Sequence, residues 1–306
     1  MKALLPALAA AWLVIPAMAA DAPKATDFIR VDEDAQAARL QTGVTRYKKG
    51  GVTVDLIGAV HIADAAYYKS LSGKFDHYDA VLFEMVGDAK ALPAKEKPAP
   101  EKDKDTDKTA GADMKNLGGL HQIYSLAAKF LGLTGQMESI DYTRKNFVHA
   151  DITLEEFQKL QTEKGESLMG LLSKAESSGT KEPDPTKLMQ AMLSGNSNRM
   201  KLEIVHTLGS GDDQIAAFAG SDSVIIGDRN AKCIKVLDSE VDHGRKHLAI
   251  FYGAAHFPDM EKRLLGEGYE KVSHEWVTAW DIPKPQPKAA PAEPAAPATE
   301  PKKKAA

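Results

Sequence analysis

The chain has 306 residues, 43% of them hydrophobic, enough to bury one sizeable core or two modest ones. With 39 basic and 43 acidic residues its formal net charge is −4, which excludes the overall basic footprint of a nucleic-acid-binding protein. One cysteine, Cys233, excludes an internal disulfide, so a domain of this size rests on its core.

The first nineteen residues, "MKALLPALAAAWLVIPAMA", join one Lys, a short apolar run and a closing Ala-Met-Ala. They predict a signal peptide over 1–19, cut before Ala20 or Asp21, and a protein exported to the periplasm or the cell exterior. The run is too short to span a bilayer comfortably, and no other stretch reaches about 18 apolar residues. No transmembrane segment is therefore expected after cleavage.

A domain is expected over 20–282. "RLQTGVTRYKKGGVTVDLIGAV" predicts a hairpin turning at Lys49-Gly50-Gly51. A helix follows from a cap at Asp64, and "DAVLFEM" reads as a buried strand ending at Glu84. Residues 87–113 hold Lys, Asp, Pro and Ala with almost no large apolar side chain, and the tail over 283–306 repeats that composition. Both are expected to be disordered, because neither can bury enough surface to offset the entropy of ordering.

From about Asn116 to Asp242 the pattern is mostly helical. "LHQIYSLAAKFLG", "TLEEFQKLQ", "ESLMGLLSKAE", "PTKLMQAML" and "SVIIGDRNAKCIKVLDSEV" all space their apolar residues at a helical period. Cys233 falls on the apolar side of the last of these and reads as a small buried hydrophobe. "KHLAIFYGAA" is then a strand, "PDMEKRLLGEG" a helix with Pro258 near its start, and "EKVSHEWVTAWDI" a final strand. The fold class is α/β: strand–helix–strand units at both ends form one mixed sheet, with a mostly helical middle insertion.

The two ends share a pattern: apolar strand, Gly-Ala-x-His, two residues, Asp, then a helix. It runs "GAVHIAD" at His61 and "GAAHFPD" at His256. Gly58 and Gly253 lack a side chain, so the backbone there can turn sharply and admit a close neighbour. Each helix is followed by Tyr and an acid, with Glu84 and Glu275 six residues after the Tyr, as in a worn internal repeat. If both units lie in one sheet, His61, Glu84 and His256 reach the rim where open α/β sheets put ligands. Two imidazoles and a carboxylate are a three-donor set that could hold a metal and activate water. Side chains on an open rim support few packing contacts, so each is expected to be removable at under about 1 kcal/mol to the fold.

Bland roles compete with these. A histidine at a strand end is usually a cap or a core residue, and Glu84 could be one half of a structural ion pair with Arg229. Arg229, in "IIGDRNAK", could form that pair or grip the carboxylate or oxyanion of a substrate. "DYTRKNFVHADIT" adds Tyr142, Arg144, His149 and Asp151, of which Arg144 and His149 could line a cleft, whereas helix capping accounts for Asp151 or Thr153. The remaining histidines, His77, His121, His206, His243, His247 and His274, show no ligand spacing and read as solvated or helical.

The order "GAVH", "VLFEM", "GDRN", "GAAH" resembles the TraB/PrgY/GumN group, whose animal relatives are the TIKI proteases, over roughly residues 50–280. The resemblance implies a metal-dependent, peptidase-like hydrolase related to erythromycin-esterase-like and haem-binding ChaN-like folds. It makes His61, Glu84 and His256 the metal set, with Arg229 joining them as the catalytic set. The metal would be a divalent ion (Mn, Co, Zn or Fe), and the partner a peptide or small carbonyl-containing substrate. A peptide-, metal- or haem-sequestering protein on the same fold is the alternative, and a regulatory or envelope-assembly protein a further one. Two departures stand out: Asp228 is the acid before the Arg-Asn pair, and the charged insertion follows Glu84 directly.

Overall fold

The computed structural model describes residues 27–87, 125–166, 185–208 and 223–284. The expected signal segment, nearly all of the charged insertion, the helix expected over "ESLMGLLSKAE" and the tail beyond Lys284 lie outside the described residues. No helix among the described residues is long and apolar enough to cross a membrane.

A seven-stranded mixed sheet is the centre of the molecule. Its antiparallel half begins with β1 (Ile29–Glu33), β2 (Ala37–Lys49) and β3 (Val52–Ala59). The expected hairpin joins β2 to β3 with Lys49 opposite Val52, and Gly50 turns the chain at a φ of 56°, a conformation that costs a glycine little. β9 (Glu270–Pro283) pairs with β2 from Ala37 to Lys48, so β1 and β3 divide the other edge of that strand between them.

The other half is parallel. β8 (His247–Gly253) lies between β3 and β5 (Ala80–Phe83), and β7 (Phe147–His149) closes the edge beside β5. Side chains on these strands alternate between two cores. Val81, Phe83, Ala249 and Phe251 face one, and Ala80, Leu82, Leu248, Ile250 and Tyr252 face the other. Burial on both faces is why β5 and β8 read as unbroken apolar runs. Each fully buried Leu, Ile or Phe contributes about 1.5–3 kcal/mol relative to exposure.

Two crossovers decide what covers each face. From β3, α1 (Ala65–Phe75) leads past β8 to β5, and from β8 another helix leads the opposite way to β9. Both β9 and β3 run antiparallel to β2 and so point the same way. Crossovers of one hand that travel in opposite directions must lay their helices on opposite faces. Accordingly Tyr67, Tyr68, Leu71 and Phe75 of α1 fill the first core.

The middle of the chain supplies the remaining elements. β4 (Ile62–Ala63) pairs with β6 (Thr134–Gly135) in a separate two-stranded ribbon, followed by the short α2 (Gln136–Ser139). α3 (Leu154–Lys164) starts in a capping box between Thr153 and Glu156 and stops at Gly165 with φ 62°. α4 (Pro185–Leu193) and α5 (Ser197–Leu208) follow. α6 (Arg229–Asp242) buries Cys233, Ile234 and Leu237 in the second core, and α7 (Phe257–Gly266), the helix between β8 and β9, adds Phe257, Met260 and Leu264.

The described part of the middle is mostly helical, as expected, although β7, too short to read from its pattern, joins the sheet as an edge strand. Two expectations are corrected. β9 continues to Pro283, and Lys284 donates its amide to Gln36 O and pairs with Glu33, so the fold extends two residues beyond 282. The internal likeness also stops at the helices: Glu275 is exposed on β9 and pairs with Lys74 at 2.7 Å, so it has no part in what surrounds Glu84.

Candidate functional site

β3 and β8 are adjacent and parallel with Ala59 opposite Gly253, so the two Gly-Ala-x-His turns leave the sheet side by side. β5 flanks β8, and Glu84 donates its amide to Phe251 O one residue past the strand end. Alternation on β5 puts Ala80 and Leu82 on the α6 face, and Glu84 continues that face. A π-helical turn over Val224–Asp228, capped by the Ser223 hydroxyl on Ile226 N, delivers Arg229 to the first position of α6. Such wide turns recur at functional sites.

The side chains close into one network. Arg229 Nη2 donates to Glu84 Oε1 at 2.8 Å and to Asp151 Oδ2 at 2.6 Å, while Arg229 Nε donates to Asp151 Oδ1 at 3.0 Å. Arg229 Nη1 reaches Ile225 O at 3.4 Å. The Asp151 side chain is 0% exposed, that of Arg229 9% and that of Glu84 15%. Glu84 Oε2 accepts the Gly253 amide at 2.7 Å, and His256 Nε2 lies 3.5 Å from Glu84 Oε1. On its other side His256 Nδ1 meets Asn230 Oδ1 at 2.7 Å; Asn230 Nδ2 is within 2.9 Å of Asp259 Oδ2, to which Arg263 Nε also donates at 2.6 Å.

Burial alone would raise the Glu84 carboxyl, but the charges of His256, Arg229 and His61 outweigh it and hold Glu84 well below the usual carboxylate range. For Arg229 burial works against the charge, and Glu84 and Asp151 more than restore it. Burial pushes the Cys233 thiol and the Tyr252 phenol up, so neither is a nucleophile here.

Of the four residues singled out from the sequence, Glu84, Arg229 and His256 are brought into direct contact. His61 is exposed at the neighbouring strand end, and its charge is felt by Glu84. The Glu84–Arg229 ion pair, one of the competing readings, forms. Arg229 spends Nε and Nη2 on two carboxylates and directs Nη1 to a carbonyl.

Asp151 is the residue that sequence reasoning misassigned. Capping belongs to Thr153, and Asp151 is instead the bidentate partner of Arg229. The usable signal was its place two residues after β7, at the same rim as Glu84, but that requires recognising a three-residue strand.

Arg144 is tied to Ser72 O and Asp76, away from the network, and His149 Nε2 pairs with Met85 O next to Glu84. Tyr142 meets Gln136 through its hydroxyl. His274 is neither solvated nor helical: it sits half-buried on β9 with Nδ1 against the Thr45 hydroxyl. The two glycines serve close approach and not a sharp turn, since neither has a positive φ. A Cβ on Gly253 would stand 3.3 Å from Glu84 Oε2, and one on Gly58 3.1 Å from Gly43 O.

The donors do not assemble into the expected metal set. Both Glu84 oxygens are already partnered, and a guanidinium nitrogen 2.8 Å from Oε1 would repel a cation there. Among the described residues no group of three or more His, Cys, Asp or Glu side chains is arranged to hold a metal ion.

Against known proteins, the chain matches no family model, no curated protein and no solved structure. The resemblance to the TraB/PrgY/GumN group rests on its four motifs.

Proposed function

We propose that this chain is a hydrolase of carbonyl-containing substrates, peptides foremost, with His256, Glu84 and His61 as its acid–base groups. One observation carries the reading: His61, Glu84 and His256, drawn from three separate parts of the chain, lie at the ends of adjacent parallel strands around a partly buried carboxylate held ionised. In this reading a water hydrogen-bonded to His256 Nε2 gives a proton to the ring as its oxygen attacks the carbonyl carbon. Glu84 stabilises the imidazolium so formed, and exposed His61 protonates the leaving group. Arg229 and Asp151 act one step back, keeping Glu84 charged and fixed. The order of the four motifs supports the same class of chemistry, and the signal-like start supports export.

The test is hydrolysis of a peptide library and of chromogenic esters by the purified protein. His256→Ala and Glu84→Gln should each slow the rate by about 10²–10⁴-fold, and His61→Ala should weaken it on substrates with poor leaving groups. Unchanged rates in folded His256→Ala or Glu84→Gln protein would sink the proposal.

A second reading, a protein that holds a peptide without turning it over, is favoured by the closure of the network, in which both Glu84 oxygens already have partners. Stoichiometric peptide capture with no product would select it.

A further inference from the structure

We propose that Asn230 is a positioning residue: it locks His256 in the Nδ1–H form and leaves Nε2 as the nitrogen that exchanges protons with the substrate side. The catalytic consequence rests on the hydrolase reading; the assignment of the proton does not.

An amide's oxygen and nitrogen ends have nearly the same shape, so only their neighbours tell them apart. One end of the Asn230 side chain faces two oxygens, His256 O at 3.0 Å and Asp259 Oδ2 at 2.9 Å. A backbone carbonyl only accepts, and Asp259 Oδ2 already accepts from Arg263 Nε at 2.6 Å. The end that faces them must therefore be the NH₂ group, and both of its hydrogens are used.

The opposite end is then the carbonyl oxygen, 2.7 Å from His256 Nδ1. An acceptor at that distance requires a hydrogen on the ring nitrogen. The flipped amide would set Oδ1 against two acceptors in a place without solvent, since Asn230 is 0% and His256 4% exposed. Buried acceptors left facing each other are costly, so the flip is disfavoured.

With Nδ1 protonated, the neutral ring carries its lone pair on Nε2, the atom 3.5 Å from Glu84 Oε1. A proton taken up at Nε2 therefore points at the Glu84 carboxylate. Asp259 and Arg263 extend the device outward, fixing Asn230 as Asn230 fixes the ring. Asn230 and Asp259 come from the first turns of α6 and α7, so the tautomer is set by rigid elements.

The test is a ¹H–¹⁵N spectrum of the histidine side chains in full-length protein, at a pH that keeps the ring neutral, with His256 assigned from its loss in His256→Gln. Wild-type protein should show a pyrrole-type Nδ1 and a pyridine-type Nε2 for His256. A pyridine-type Nδ1 would overturn the proposal without any substitution being needed. Asn230→Ala should move both resonances toward a tautomer mixture, whereas an Nδ1–H ring retained in a folded Asn230→Ala protein would remove Asn230 as its cause. Should that variant not fold, Asn230→Ser, which also removes the amide carbonyl opposite Nδ1 but keeps a small polar side chain, is read in the same way: a shift toward a tautomer mixture supports the proposal, and an unchanged Nδ1–H ring overturns the role of Asn230.

Where hydrolysis is found, Asn230→Ala should reduce it by about 10- to 100-fold, the usual reach of a residue acting through another. The two readings separate cleanly. An Nδ1–H ring in a protein that hydrolyses nothing refutes only the hydrolase, and a reversed ring in an active one refutes only the role of Asn230.

Discussion

Arg229→Ala is the substitution that reads the network most directly. The side chain carries the counter-charge for Asp151, whose side chain is 0% exposed, and for Glu84 at 15%. Without it Asp151 keeps a single amide donor, from Ile152 at 2.8 Å, and Glu84 keeps the Gly253 amide and its contact with His256. Breaking a buried ion pair from one side costs about 3–5 kcal/mol, because the charge left behind has lost both water and partner. Against a total of about 5–15 kcal/mol that is a large share. With a urea slope of about 1–3 kcal/mol per molar, the unfolding midpoint should fall by at least about 1 M. Arg229→Lys should fall in between, since an ammonium cannot span both carboxylates as the guanidinium fork does.

The pH dependence carries a sign that a cavity could not mimic. In the wild type the Glu84 carboxyl is held below its unfolded value, so its contribution is full above about pH 4.5 and is lost as the pH falls through the folded value. In Arg229→Ala burial and the imidazoles of His256 and His61 remain but the guanidinium is gone, so the Glu84 carboxyl rises from its wild-type position and protonation costs the folded variant less than it costs the wild type. The gap between the two proteins should therefore narrow as the pH drops from 7 toward 4. Urea unfolding followed by circular dichroism at several pH values measures it. A gap below about 1 kcal/mol at pH 7, or one that stays constant down to pH 4, would refute this account of the network.

Two further outcomes follow from the same geometry. Dialysis against a chelator should leave the thermal midpoint unchanged and the protein should carry less than one equivalent of divalent metal; tight stoichiometric metal would show that Glu84 can release Arg229 or the Gly253 amide. Gly253→Ala places a methyl 3.3 Å from Glu84 Oε2 and should cost about 1–3 kcal/mol by crowding, with Gly58→Ala similar because its neighbour is the Gly43 carbonyl at 3.1 Å; neutral effects at both would mean that these glycines are not kept for close approach.

Much of the sheet was legible because its physics is local. Lys49-Gly50-Gly51 announces a hairpin, and β5 and β8 show unbroken apolar runs because cores cover both of their faces. β1 and β7 escaped because five and three residues carry too little pattern to outvote their polar surroundings. The site divides the same way. Repetition of Gly-Ala-x-His marked both histidines, and a charge at the end of an apolar strand marked Glu84. What each side chain faces was not legible, because it depends on pairing between distant segments. Arg229 looked free to grip a substrate until β7 brought Asp151 alongside it. Glu84 and His256 looked like rim residues, yet the start of α6 covers them, so the expectation that their loss costs the fold under about 1 kcal/mol does not survive their burial.

The charge balance of the cluster separates a structural network from a working one. Glu84, Asp151 and Asp259 bring three negative charges, and Arg229 and Arg263 bring two positive ones, which leaves one negative charge uncompensated. A network kept only for rigidity gains nothing from an unbalanced charge, since well-packed apolar side chains of the same volume would be as stable or more so. Glu84 lies beside His256 and His61, whose positive charge helps to hold its carboxyl down, and one imidazolium balances the cluster. That is the state water activation would create, and the carboxylate waiting for it is already desolvated and held in place, so little reorganisation is left for the reaction to supply. In the proposed hydrolase reading Arg229 acts from behind Glu84, where with the imidazoles it keeps the carboxylate charged, so that a proton arriving at His256 meets a standing counter-charge.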